Sequence, residues 1–257
     1  MDATAATPWF SHHGQAFTGS EPFFYDTRAF PWVERIESQW SVIRDELMAL
    51  VDEDDGGSLL PYPNPTLVSK PDRWKIFGFM FWTIKFKKNC AKCPRTWKLL
   101  ASIPNVTSGS FNLLEPNATI RPHYGDTNAI IRCHLGLVIP APAPACAFKV
   151  GSEIRSWKEG EVLMFCDAHL HTAWNNTNQR RFIMIIDIIR PEYAARQRSI
   201  CRDVLASIET AIVYERKAWL RKHFNAARGK AVVLALYKAF YQIILSLRMD
   251  LQTVVRS

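Results

Sequence analysis

The chain lacks an apolar core near its start. Met1 to Gly19 is polar and has none of the character of a secretory leader. That absence predicts a cytoplasmic chain whose six cysteines, Cys90, Cys93, Cys133, Cys146, Cys166 and Cys201, are reduced. No second pair accompanies Cys90-x-x-Cys93, so a four-ligand zinc site is not expected. A thioredoxin-like role lacks its βαβ setting, which leaves plain thiols or one local disulfide. The three Asn-x-Ser/Thr sequons, at Asn105, Asn117 and Asn175, carry no expectation without a secretory route. There is no internal repeat and no low-complexity block. Basic residues do not alternate with exposed aromatics as in a nucleic-acid channel, so no nucleic-acid partner is expected. The most apolar stretch, Ala231 to Leu247, is interrupted by Lys238 and Gln242. It falls short of the ~20 apolar residues of a membrane span.

What is present is enough for a large core. Of 257 residues 48% are hydrophobic, and nine Trp and fifteen Phe argue against disorder over most of the length. The net charge of +8 is uneven. From Pro191 onward there are 12 Lys/Arg against 5 Asp/Glu, whereas the first 190 residues hold 20 against 19. An acidic partner would therefore be met at the C-terminal end.

Three regions are expected: an N-terminal extension over 1–30, a β domain over 31–190 and a basic helical region over 191–257. Pro31 to Val51 reads as one helix, with Trp32, Ile36, Trp40, Ile43, Leu47 and Leu50 on one face. Trp74 to Phe86 reads as a strand pair or one long strand, and Pro94 to Ile103 as a short helix. Short strands follow at Ser110–Leu114, Ala129–Val138, Ala147–Val150, Ile154–Trp157, Glu161–Phe165 and Phe182–Ile189. This spacing predicts a mainly β fold, an antiparallel sandwich or jelly roll. Ala194 to Phe224 reads as a helix, with Gly229 as a breaker before the apolar stretch.

Chemistry concentrates in Arg121-Pro-His-Tyr-Gly-Asp-Thr-Asn128, Ile131-Arg-Cys-His-Leu-Gly-Leu137, the segment Gly160 to Trp174 with Asp167, His169 and His171, and Arg180-Arg-Phe-Ile-Met-Ile-Ile-Asp187. Imidazoles from separate strands can hold one side of an iron and leave positions open. An Arg on a neighbouring strand can clamp a carboxylate. In this order the motifs resemble the aspartyl/asparaginyl β-hydroxylase family over about Cys90 to Pro191. The resemblance implies a double-stranded β-helix (cupin-like jelly roll) with flanking helices, and a dioxygenase using Fe(II), 2-oxoglutarate and O2. It implies His123 and His171 as the metal ligands and Arg181 as the clamp on the distal carboxylate of 2-oxoglutarate. Arg132 and His134 are implied as co-substrate or substrate contacts. Asn112 stands where relatives carry a Ser that touches 2-oxoglutarate.

Several alternatives stay open. Gly125 occupies the usual carboxylate position two after His123, and Asp126 is the alternative third ligand. His169 rivals His171, as a neighbour on the same strand face. Asp167 is either a partner that orients a ligand or a turn residue. Arg180 should face solvent. The expected substrate is a peptide, protein or amino-acid-derived compound hydroxylated at Asp or Asn, or else the acyl chain of a membrane lipid. The C-terminal helices either pack on the domain or make peripheral membrane contact, with Arg216, Lys217, Arg221, Lys222, Arg228 and Lys230 meeting anionic headgroups.

Overall fold

Three long segments are buried along nearly their whole length, on both faces, and that places them at the centre of a layered structure. The computed structural model describes residues 7–217, 219 and 227–254. The strands in chain order are β1 (Leu60–Pro61), β2 (Trp74–Phe81), β3 (Ile84–Lys85), β4 (Val106–Leu114), β5 (Ala118–His123), β6 (Ile130–Val138), β7 (Cys146–Val150), β8 (Glu153–Arg155), β9 (Val162–Phe165), β10 (His171–Asn175) and β11 (Arg181–Ile189). β4, β11 and β6 run through the middle of a seven-stranded sheet ordered β1-β2-β4-β11-β6-β9, with β3 on β2. A second sheet is ordered β5-β10-β7-β8. Every ladder between these strands is antiparallel.

Alternation decides what each face of the large sheet meets. Phe111, Leu113, Phe182, Met184 and Ile186 face outward. They pack with Ile36 of α1 (Trp32–Ser38) and with Ile43 and Leu47 of α2 (Trp40–Asp54). Each such buried side chain contributes about 1.5–3 kcal/mol. Leu114, Ile183 and Phe165 face inward and meet Ile120, Phe148, Val150 and Ala173 of the small sheet. The result is a mainly β antiparallel sandwich with helices on its outer side. Two short helices, α3 (Lys87–Lys92) and α4 (Pro94–Ala101), lead into β4.

Some expectations shift. The helix expected over Pro31–Val51 breaks at Gln39 and resumes as α2. Trp74 to Phe86 is a strand pair, turning through Trp82 and Thr83 at φ 45° and 71°. Burial of the Trp82 indole and backbone bonds to Ser108 and Thr107 hold that left-handed turn. β5 was not expected as a strand, and β10 begins at His171 rather than including His169. Asn105 and Asn117 sit at φ 56° and 52°, conformations that Asn tolerates. All six cysteines are free and buried.

The chain divides into two units, Met1–Pro191 and Glu192–Ser257. In the second, α5 (Gln197–Arg216) and α6 (Ala227–Val254) pack together. Gly229 lies inside α6 rather than ending it, so the apolar stretch belongs to a 28-residue helix. Gly229–Leu247 is long and apolar enough to cross a membrane by length and composition. Arg221 and Lys222 lie outside the described residues.

Candidate active site

β5 and β10 pair with His123 directly opposite His171, and the two ring centres are 4.2 Å apart. The ladder shifts register just beyond His171, a local irregularity of the kind that re-aims side chains beside sites. His123 Nδ1 lies 2.8 Å from the Arg121 carbonyl, and His171 Nδ1 lies 2.9 Å from the His169 carbonyl. A carbonyl only accepts, so in the neutral ring each Nδ1 keeps the proton and each Nε2 presents a lone pair. Burial lowers the pKa of His123, and it holds that of His171 well below the ordinary range, with His123 adding to the effect. Two neutral imidazoles with backbone-fixed tautomers are the form in which histidine binds metal.

Gly125 explains the missing carboxylate. A Cβ there would collide with Asp167 Oδ2, so the place of a side chain at 125 is taken by the Asp167 carboxylate. Asp167 lies in the turn between β9 and β10, and its carbonyl accepts from Gly125 N at 2.7 Å. Its side chain is fully buried, 3.0 Å from Arg132 Nη1. The approach is off the hydrogen-bond direction, so this is an ion pair in which both carboxylate oxygens keep their hydrogen-bonding capacity. Burial pushes the Asp167 carboxyl up to about 7, against the pull of Arg132. Asp126, in the same loop as Gly125, is pushed up to about 6 by burial. Among the described residues no group of three or more His, Cys, Asp or Glu is arranged to hold a metal ion.

Arg132, His134, Asn112, Arg181 and Asp187 share the inward face of the large sheet, as their register dictates. Arg132 is clamped by Asp187, through Nε to Oδ1 at 2.7 Å and Nη2 to Oδ2 at 2.9 Å. Arg181 is 1% exposed, and its Nε and Nη1 have no partner. Its guanidinium lies 4.6 Å over the Trp157 ring, and burial lowers its pKa to about 10, so it remains a cation at neutral pH. Trp157 Nε1 donates to His134 Nδ1 at 3.1 Å. Since the indole only donates, His134 must carry its proton on Nε2, which is buried and also unpartnered. The interior thus holds lone N–H donors on Arg181 and on His134. Orphaned donors of this kind are costly unless something anionic meets them.

Asn112 is on the same face but is already occupied. Its Oδ1 accepts from Trp74 Nε1 at 3.0 Å and its Nδ2 donates to Ser110 Oγ at 2.9 Å. Arg180 points away from this interior and pairs with Asp55 and Glu115, each at 3.3 Å, rather than standing alone in solvent. His169 is not on a strand. Its Nε2 lies 2.8 Å from the Glu21 carbonyl, and its ring sits edge-on to Phe17 and Phe23, so it is not a neighbour of His171 on one strand face.

Sequence reasoning missed Trp157, Asp187 and the N-terminal segment. The last stitches both histidine loops. Thr127 Oγ1 donates to the Trp9 carbonyl, Trp9 N to Asn128 Oδ1, Ser11 N to the Asp126 carbonyl and Cys166 N to the Phe23 carbonyl. Asp187 was legible, since it stands an even number of residues after Arg181 on one strand; the other two left no sequence signal. A cleft of about 290 Å³ is lined by Pro61, Tyr62, Val68 and Trp74, with Tyr62 stacked on Trp74 at 3.6 Å.

The aspartyl/asparaginyl β-hydroxylase family model matches residues 37–191. The chain belongs to that family. It is 34% identical over 175 residues to an ornithine lipid ester-linked acyl 2-hydroxylase of Rhizobium tropici, covering 66% of this chain and 61% of that protein. It is 32% identical over 171 residues to the human aspartyl/asparaginyl β-hydroxylase, covering 65% of this chain and 22% of that protein. The match therefore spans less than two-thirds of either relative. Among solved structures it is similar to a Pseudomonas putida prolyl-4-hydroxylase, with TM-score 0.40, 14% identity and coverage of 58% of this chain and 87% of that one. The N-terminal segment that stitches the histidine loops lies outside the family match.

Proposed function

We propose that the chain is an Fe(II)- and 2-oxoglutarate-dependent dioxygenase that hydroxylates its substrate. The observation that carries this reading is a buried, charged Arg181 with two unpaired N–H groups, beside the lone Nε2–H of His134. That pair of donors fits a carboxylate-bearing co-substrate. The two neutral imidazoles of His123 and His171 fit a metal ion, and both oxygens of the buried Asp167 side chain, against Gly125, keep their hydrogen-bonding capacity.

In this reading His123 and His171 hold the iron through Nε2. Arg181 grips the distal carboxylate of 2-oxoglutarate as a fork, and His134 donates from Nε2 to the same molecule. Arg132, already matched by Asp187 and Asp167, holds Asp167 in place. The apolar shell of Phe148, Trp157 and Phe165 excludes water from the donors. Iron with 2-oxoglutarate supplies O2 activation, and the protein supplies position. The substrate is an aspartyl or asparaginyl residue of a peptide, protein or amino-acid-derived compound. A second reading, favoured by the likeness to the Rhizobium enzyme, is the acyl chain of a lipid. The chain would work in the cytoplasm or against a membrane surface.

The test is metal analysis and 2-oxoglutarate-dependent succinate formation with purified protein. His123→Ala and His171→Ala should each lose iron and turnover, and His169→Ala should keep iron. If His169→Ala empties the site while His171→Ala does not, the ligand assignment fails. Peptides containing Asp or Asn and lipid extracts, each read by mass for one added oxygen, separate the two substrate readings.

A further inference from the structure

Helix α6 is apolar on the side that its neighbour does not cover. Val232, Leu236, Phe240, Ile243 and Leu247 are each more than half exposed, between 53% and 67%. At 100° per residue they fall within an 80° arc, a single stripe about 22 Å long. The opposite side meets α5. Leu245 is buried, Tyr241 Oη donates to Glu209 at 3.2 Å, Arg202 Nη1 donates to Gln242 Oε1 at 3.2 Å, and Lys238 pairs with Asp203 at 3.5 Å. Five large apolar side chains in one exposed stripe are not the surface of a helix that ends in water.

The charge carried by this part of the sequence points to what covers the stripe. From Arg216 to Met249 there are eight Lys/Arg and no Asp/Glu. Arg216, Lys217 and Lys230 are exposed, and an exposed Trp219 lies between the helices. A partner must be apolar within and anionic at its surface, which is the description of a bilayer with acidic headgroups. The length and composition of Gly229–Leu247 would also suit a span. A span, however, would carry the Lys238–Asp203 pair and the Glu209 contact into hydrocarbon, or break them.

We infer that α6 docks the protein on anionic membrane surface, lying in the interface with the Val232–Leu247 stripe inserted rather than crossing the bilayer. This does not depend on the hydroxylase reading. The test is flotation of the full chain with phosphatidylcholine vesicles, with and without phosphatidylglycerol. The wild type should float with the anionic vesicles, stay down with the neutral ones, and be released by 1 M salt, roughly where screening shortens to 3 Å. A Leu236→Ser, Phe240→Ser, Ile243→Ser variant, all at exposed positions, should keep its circular dichroism and lose at least about tenfold in binding. Equal binding to neutral vesicles, resistance to salt, or undiminished binding by the variant would overturn the proposal. So would light scattering that shows a dimer which the variant dissolves, with no vesicle binding by either.

Discussion

Arg132 and Arg181 stand on neighbouring strands of one sheet and point into the same interior, yet their surroundings are opposite. Arg132 has two carboxylates within 3.0 Å, and Asp187 engages it bidentately. Among the described residues no carboxylate pairs with Arg181, whose guanidinium lies over the face of Trp157. A protein tolerates a buried cation when folding supplies its counter-charge, and Arg132 meets that condition. Arg181 carries a charge that folding leaves unmatched. It is the kind of cost that functional sites retain because a ligand removes it.

The largest effect that could break this contrast is on stability. Arg132→Met should destabilise the metal-free protein by about 3–5 kcal/mol, because Asp187 and Asp167 would remain buried without their cation. Arg181→Met should leave that stability unchanged or raised, since an unpaired charge is removed. Denaturant unfolding of both variants decides it. A reversed order would mean that Arg181 has a structural role and that the contrast is false.

Ligand binding should invert the ranking. Arg181→Ala should raise the apparent KM for 2-oxoglutarate by about tenfold to a hundredfold, from the loss of a charge-assisted fork of about 1.5–3 kcal/mol. Arg181→Lys should recover part of the loss, because an ammonium offers a point charge rather than a fork. Arg180→Ala, on the opposite face, should be nearly silent towards 2-oxoglutarate, since Asp55 is exposed and the buried Glu115 keeps Lys75 at 3.3 Å. If Arg180→Ala carries the defect, the strand register is off by one residue.

This register is legible in the amino-acid order alone, because a period of two separates Arg180 from Arg181. The central strands are legible too, since Ile130–Val138 and Arg181–Ile189 are rich in Ile, Leu and Val. The strands that carry the histidines are not. Ala118–His123 contains Pro122, and His171–Asn175 is poor in β-branched residues, so their pairing with one another rests on tertiary packing rather than propensity. Nor could sequence locate the N-terminal segment, whose hold on the histidine loops is mostly through backbone carbonyls and amides.

The glycine between these regions offers a finer cut. Gly125→Ala would place a Cβ against the Asp167 carboxylate and the loop would have to move, a cost of about 1–3 kcal/mol by overpacking. Iron affinity should fall with it, whereas Asp126→Ala should retain much of the wild-type affinity. A large loss from Asp126→Ala would make Asp126 a ligand.

The pH dependence of metal-free stability probes the same carboxylate. Folding raises the Asp167 carboxyl from 3.8 to about 7, so the folded state holds its proton more tightly than the unfolded state. Stability from this group is therefore fully present below 3.8 and is lost as pH rises to about 7. Asp126, raised to about 6, acts in the same direction. Asp167→Asn should flatten the decline, and its gain over wild type should be greatest above pH 7. A gain confined to acid pH would mean that the carboxylate is stabilised in the fold, not penalised.

The smallest effect concerns the donor beside Arg181. Trp157→Phe keeps a ring against Phe148, where the stacked centres are 4.9 Å apart, and keeps an aromatic face under the guanidinium. It removes the indole N–H that donates to His134 Nδ1. The imidazole is then free to hold its proton on either nitrogen, and the tautomer with a bare Nε2 repels a carboxylate oxygen instead of donating to it. One hydrogen bond of about 0.5–1.5 kcal/mol is at stake, so the KM for 2-oxoglutarate should rise by roughly twofold to tenfold, with kcat and iron content little changed. Combining Trp157→Phe with His134→Ala should add nothing to His134→Ala alone, because the indole acts only through that ring. If the two substitutions add in full, Trp157 serves 2-oxoglutarate by a route other than the His134 ring.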